Sequence, residues 1–151
     1  MLTERKLRIA VAESCTGGLL ADRMTDVPGS SNYFERGVVT YSNESKVAEL
    51  GVPPALIQQF GAVSREVAEA MALGVRSRSN VDIGISTTGI AGPTRGSAEK
   101  PVGLVWIAYS DKHETLALRF NFGDHRRRVK ERASQAALEL LRRKLLKMKQ
   151  A

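Results

Sequence analysis

The chain has 151 residues, 42% of them hydrophobic, with one cysteine, two histidines and a formal net charge of +7. That length fits a single domain, residues 1–151, built on one contiguous core. The lone Cys15 excludes an internal disulfide, two histidines give no cluster spaced like a zinc site, and the longest apolar runs, such as Val102 to Tyr109, fall far short of the roughly 20 residues that span a bilayer.

The charged N-terminus also lacks a signal-peptide hydrophobic region, so the expectation is a cytoplasmic protein with no membrane partner, metal or cofactor. The positive charge is local. Between Arg126 and Lys149 ten Lys/Arg stand against two Glu, a balance of +8 that leaves the rest of the chain at −1. The same segment keeps an apolar face through Val129, Ala133, Ala136, Ala137, Leu140, Leu141, Leu145 and Met148 at helical spacing. This predicts a docked terminal helix rather than a nucleic-acid partner, and with 5% aromatic residues to stack on bases the pattern argues against a single-strand binder.

In chain order, Leu7 to Ala12 reads as a buried strand entering a Ser/Thr/Gly turn, followed by a helix over Gly17 to Thr25. Gly37 to Tyr41 reads as a second strand, and Ser42 caps a short helix carrying Lys46, Val47 and Leu50. Pro53 to Phe60 predicts another short helix, and Ser64 opens a longer one with Val67, Met71, Gly74 and Val75 on one face. Val81 to Thr87 is the third strand, followed by a long polar loop through Lys100. Val102 to Tyr109 and Thr115 to Asn121 are joined by a turn and predict an antiparallel pair before the basic helix. The order indicates a three-layer α/β/α domain with a mixed, mostly parallel sheet of about five strands.

Three polar groups stand where a predicted strand hands over to a loop: Glu13-Ser14-Cys15-Thr16-Gly17-Gly18, Thr40 to Lys46, and Thr87-Thr88-Gly89-Ile90-Ala91-Gly92-Pro93. If their strands are parallel, all three meet at one sheet edge, where open α/β sheets bind ligands. The first is neither a P-loop, since no Gly-Lys-Ser/Thr follows, nor a Gly-x-Ser-x-Gly nucleophile elbow. Taken singly, each group also fits an ordinary helix cap or turn.

These groups, with Phe34-Glu35-Arg36-Gly37 and Glu99-Lys100-Pro101-Val102-Gly103, resemble in order the motifs of the CinA C-terminal domain family. The resemblance covers the chain from about Leu7 to its last helix. It implies a nicotinamide-nucleotide amidase that converts nicotinamide mononucleotide to nicotinate mononucleotide and ammonia, with the family's catalytic serine and lysine falling on Ser14 and Lys46. A lysine is a base only when neutral, so Lys46 is expected to be desolvated and to face Ser14. Amides of Cys15, Thr16, Gly17 and Gly18 are the candidate oxyanion hole, with Thr88 a donor beside them and Gly89 in the same motif. Tyr41 is expected to orient Lys46 or stack on the pyridinium ring. The substrate phosphate is assigned to Arg126, with Arg127 or Arg128 as substitutes, and to Lys130, which stands where the resemblance implies arginine.

Two departures from the family pattern concern packing. Met1 to Lys6 replaces a helix before the first strand, so the surface such a helix covers is expected to be exposed or filled by a partner. Thr94-Arg95-Gly96 replaces a more glycine-rich stretch. Sheet edges and the missing cover predict a homo-oligomer. The competing readings are Cys15 as nucleophile with His113 or His125 as base, a non-catalytic nucleotide-binding module, and nucleic-acid binding through Arg126–Arg128.

Overall fold

The structure is a computed structural model that describes residues 1–148; Lys149, counted above in the basic segment, lies outside them. In chain order the elements are β1 (Ile9–Glu13), α1 (Leu19–Thr25), a short 3-10 turn (Ser30–Asn32), β2 (Phe34–Val39), α2 (Asn43–Leu50), α3 (Pro54–Phe60), α4 (Arg65–Ser79), β3 (Ile83–Gly89), β4 (Leu104–Ser110), β5 (Thr115–Asn121) and α5 (Arg126–Lys147). The strands form one sheet in the order β2-β1-β3-β4-β5. Pairing is parallel across β2-β1-β3 and antiparallel across β3-β4-β5.

Residue parity along β1 divides the core. Ile9 and Val11 join Ile83, Ile85, Val105, Ile107 and Tyr109 beneath α1 and α5, where α5 supplies Val129, Ala133, Ala137, Leu140, Leu141 and Leu145. Ala10 and Ala12 turn to the opposite face against Val67, Met71 and Val75 of α4 and Leu50 of α2. Each fully buried large side chain contributes about 1.5–3 kcal/mol. The turns of Met1 to Lys6 place Leu2 in the α1/α5 core, filling part of the surface the sequence left open.

The α4 face is built for close approach. A methyl group at Gly84 of β3 would sit 2.1 Å from the Ala72 carbonyl oxygen, and one at Gly74 of α4 would sit 2.0 Å from that of Leu50. Glycine at these positions therefore sets the helix-to-sheet and helix-to-helix spacing. Ser42 and Ser64 cap α2 and α4 by accepting from the Ser45 and Val67 amides, as their sequence context predicts.

Candidate active site

Parallel pairing of β1 with β2 and with β3 brings the three polar groups to one edge of the sheet. β4 begins and β5 ends at the same edge, because Leu104 pairs with Asn121 and Val105 with Gly89. The N-terminus of α5 follows directly from β5. Five elements thus present their loops to one cleft edge, while the β4–β5 turn lies at the other.

Ser14 is the first residue beyond β1, and Lys46 lies in the first turn of α2. The lysine reaches back across its own helix start. Its Nζ is 3.1 Å from Ser14 Oγ, 2.7 Å from the Thr40 carbonyl oxygen and 3.2 Å from that of Tyr41. Lys46 is 1% exposed and Ser14 8%. No carboxylate is among these partners, and burial lowers the amine pKa from its ordinary 10.5. When neutral, the amine gives its two N–H bonds to the Thr40 and Tyr41 carbonyls and turns its lone pair to the Ser14 hydroxyl. That arrangement can take a proton from Ser14.

The turn after Ser14 is held by a residue that the motif alone left without a role. Glu13, fully buried at the end of β1, accepts through Oε1 from the Thr16 hydroxyl at 2.6 Å, the Leu20 amide at 2.8 Å and the Gly18 amide at 3.2 Å. Its Oε2 accepts from the Ala21 amide at 3.0 Å. The Gly17 amide donates to the Ser14 carbonyl. Gly17 and Gly18 both adopt positive φ, the conformation glycine tolerates, so α1 starts at Leu19 rather than at Gly17. The oxyanion-hole expectation narrows accordingly: Gly17 and Gly18 have committed donors, and among the described residues the amides of Cys15 and Thr16 donate to no other residue.

Thr88 is corrected as a donor. Strand parity turns it to the α4 face, where its hydroxyl donates to the Ala62 carbonyl at 2.8 Å. Gly89 ends β3, where a side chain would strike the Leu104 carbonyl oxygen at 2.6 Å, so its smallness is accounted for by packing.

Outside the pair, Arg126 at the start of α5 donates to the Gly92 carbonyl at 2.7 Å and to the Tyr41 hydroxyl at 3.1 Å. Tyr41 thereby links Lys46, through its carbonyl, to Arg126, through its phenol, and its ring is 60% exposed at the site mouth. Lys130 stands over the nucleophile turn, its Nζ 3.4 Å from where a Gly17 side chain would begin. Arg127 instead pairs with Glu131 along α5. The thiol of Cys15 is buried and pushed up to about 12, chiefly by that burial, which disfavours the thiolate the cysteine reading requires. His113 lies in the turn at the opposite sheet edge, and His125 caps α5 by accepting from the Arg128 amide.

Among the described residues no group of three or more His, Cys, Asp and Glu is placed to hold a metal ion, and no helix is long and apolar enough to cross a membrane. The site is thus that of a three-layer α/β protein with a buried serine–lysine contact at the strand ends.

The CinA C-terminal domain model matches residues 1–145, and the chain belongs to that family. It is 56% identical over 147 residues to a CinA-like protein of Syntrophus aciditrophicus, covering 96% of this chain and 35% of the relative. A CinA-like protein of Endomicrobium trichonymphae is 51% identical over 146 residues, covering 97% of this chain and 34% of the relative. The chain therefore spans about a third of the length of these curated relatives. The solved competence/damage inducible protein CihA of Agrobacterium tumefaciens superposes with a TM-score of 0.90 at 44% identity, covering 93% of this chain and 86% of that one. The competence damage-inducible protein A (ComA) of Klebsiella pneumoniae gives 0.94 at 33% identity, covering 98% and 92%.

Proposed function

We propose that the chain is an amidohydrolase that converts nicotinamide mononucleotide to nicotinate mononucleotide and ammonia through Ser14 and Lys46. The observation that carries the chemical part is the Lys46 amine, 1% exposed, 3.1 Å from Ser14 Oγ and held otherwise by neutral carbonyls. Family membership and the motif resemblance support the choice of substrate.

Lys46 accepts the Ser14 proton as Oγ attacks the carboxamide carbon. The Cys15 and Thr16 amides receive the developing oxyanion. Lys46 then returns the proton to the amide nitrogen, the carbon–nitrogen bond breaks and ammonia leaves an ester on Ser14. Water, deprotonated by the same lysine, attacks that ester; nicotinate mononucleotide departs and Ser14 recovers its proton. Arg126 and Lys130 receive the phosphate, with Tyr41 beside the cationic ring.

The test is ammonia release from nicotinamide mononucleotide by the purified chain and by Ser14→Ala. Release by the first and at least about a hundred-fold less by the second is expected for loss of a covalent nucleophile. Nucleotide binding without ammonia release would replace this reading with a non-catalytic nucleotide-binding module.

A further inference from the structure

We infer that Glu13 is a positioning residue for the reaction: through Thr16 it fixes the turn that carries Ser14 and aims the Cys15 and Thr16 amides. The inference rests on the serine–lysine reading above.

A helix of seven residues is ordinarily capped by its own N-cap side chain, yet the N-cap of α1 is Gly18, which has no side chain to offer. The cap comes instead from the last residue of β1. Glu13 reaches across Ser14, Cys15, Thr16 and Gly17 to accept from the Gly18, Leu20 and Ala21 amides. The strand end and helix start are thereby tied together around the nucleophile, with the turn closed between them.

Thr16 supplies the second tie. Its hydroxyl proton goes to Glu13 at 2.6 Å, so the 2.7 Å contact between the Thr16 and Thr87 hydroxyls is donated by Thr87. Thr87 also accepts the Ser14 amide through its carbonyl at 3.0 Å. Glu13, Thr16 and Thr87 are all 0% exposed. A hydroxyl relay ending on a buried carboxyl thus fastens the turn to β3 on one side and α1 on the other. With the Gly17 and Leu19 amides donating to the Ser14 and Thr16 carbonyls, the turn leaves the Cys15 and Thr16 amides, assigned to the oxyanion, without a partner in another residue. The relay touches neither Ser14 Oγ nor the Lys46 amine, so it sets direction without sharing in proton transfer.

The test compares Glu13→Gln, Thr16→Val and Thr16→Ser in the full chain, each first checked for folding by circular dichroism. A fluorophosphonate that labels an activated serine reads Ser14 without needing any nucleotide, with Ser14→Ala as the blank. Expected are labelling slowed about a hundred-fold in Glu13→Gln and Thr16→Val, the cost of misplacing reacting groups by about 1 Å, and recovery of at least about tenfold of that loss in Thr16→Ser. For ammonia release, kcat should fall by a similar factor with KM within about threefold.

Folded Glu13→Gln and Thr16→Val proteins that are labelled at the wild-type rate overturn the positioning role. So does loss of folding in both variants, which would make the relay a folding device only. A wild type that is labelled at Ser14, slowed by both substitutions, but inert toward nicotinamide mononucleotide removes the substrate assignment and leaves Glu13 in place. A wild type with no labelling at Ser14 overturns both.

Discussion

Each edge of the sheet holds a lysine against its core, and their settings differ in one respect. At the β4–β5 turn, Lys144 pairs with Glu114 and lies 5.4 Å from the centre of the Tyr109 ring. Its side chain is 17% exposed and its charge is matched by a carboxylate. At the opposite edge, Lys46 is more deeply buried and meets only carbonyl and hydroxyl oxygens. A carboxylate partner favours the ammonium; burial without one favours the free amine. One lysine therefore has a carboxylate partner, while burial without one lowers the pKa of the other.

The largest effect that would break this contrast is at Lys46 itself. Lys46→Ala should lower kcat for ammonia release by about 10²–10⁴-fold, the range for loss of a general base, in steady-state assays. Arg126→Ala should raise KM by about tenfold with a smaller change in kcat, as expected when a charge-assisted contact made equally in ground and transition states is removed.

The pH dependence sharpens the contrast further. Because burial lowers the Lys46 pKa, the unfolded chain holds a proton that the folded chain has released between that lowered value and 10.5. Stability should therefore rise with pH across this window, by at most about 1.4 kcal/mol per pH unit. Urea unfolding at several pH values should show the slope, and Lys46→Met should flatten it. Over the lower part of the same window kcat/KM should climb to a plateau as the amine becomes neutral. The smallest effect is at the other lysine: Lys144→Met should cost no more than about 1 kcal/mol, since its partner Glu114 is 45% exposed, and should leave ammonia release unchanged.

Periodicity and capping made the order of elements legible, and the meeting of three loops at one edge followed from parallel strands. The ends of the strands were less legible. β1 runs to Glu13 rather than stopping at Ala12, because the acid is buried by amides of α1 that no local pattern reveals. β2 spans Phe34–Val39 rather than Gly37 to Tyr41: as an edge strand it leaves Glu35 and Arg36 exposed, so no buried apolar run marks its start. β3 extends through Gly89, two residues beyond Thr87, as pairing with β4 continues to Val105. Within the site, motif order pointed to Ser14 and Lys46, whereas Thr88 was misread because its alternating partner, Thr87, faces the nucleophile turn in its place. The role of Glu13 was hidden for a related reason: a cap normally comes from an adjacent residue, and this one crosses the turn.

Gly74 gives the lysine an unseen dependency. It sits on α4, and the Leu50 carbonyl it accommodates closes the same short helix, Asn43–Leu50, that carries Lys46 in its first turn. One added methyl would push that helix end away and tilt Lys46 off Ser14. In a mutational survey of the chain, position 74 thus belongs with the reacting groups although it touches none of them.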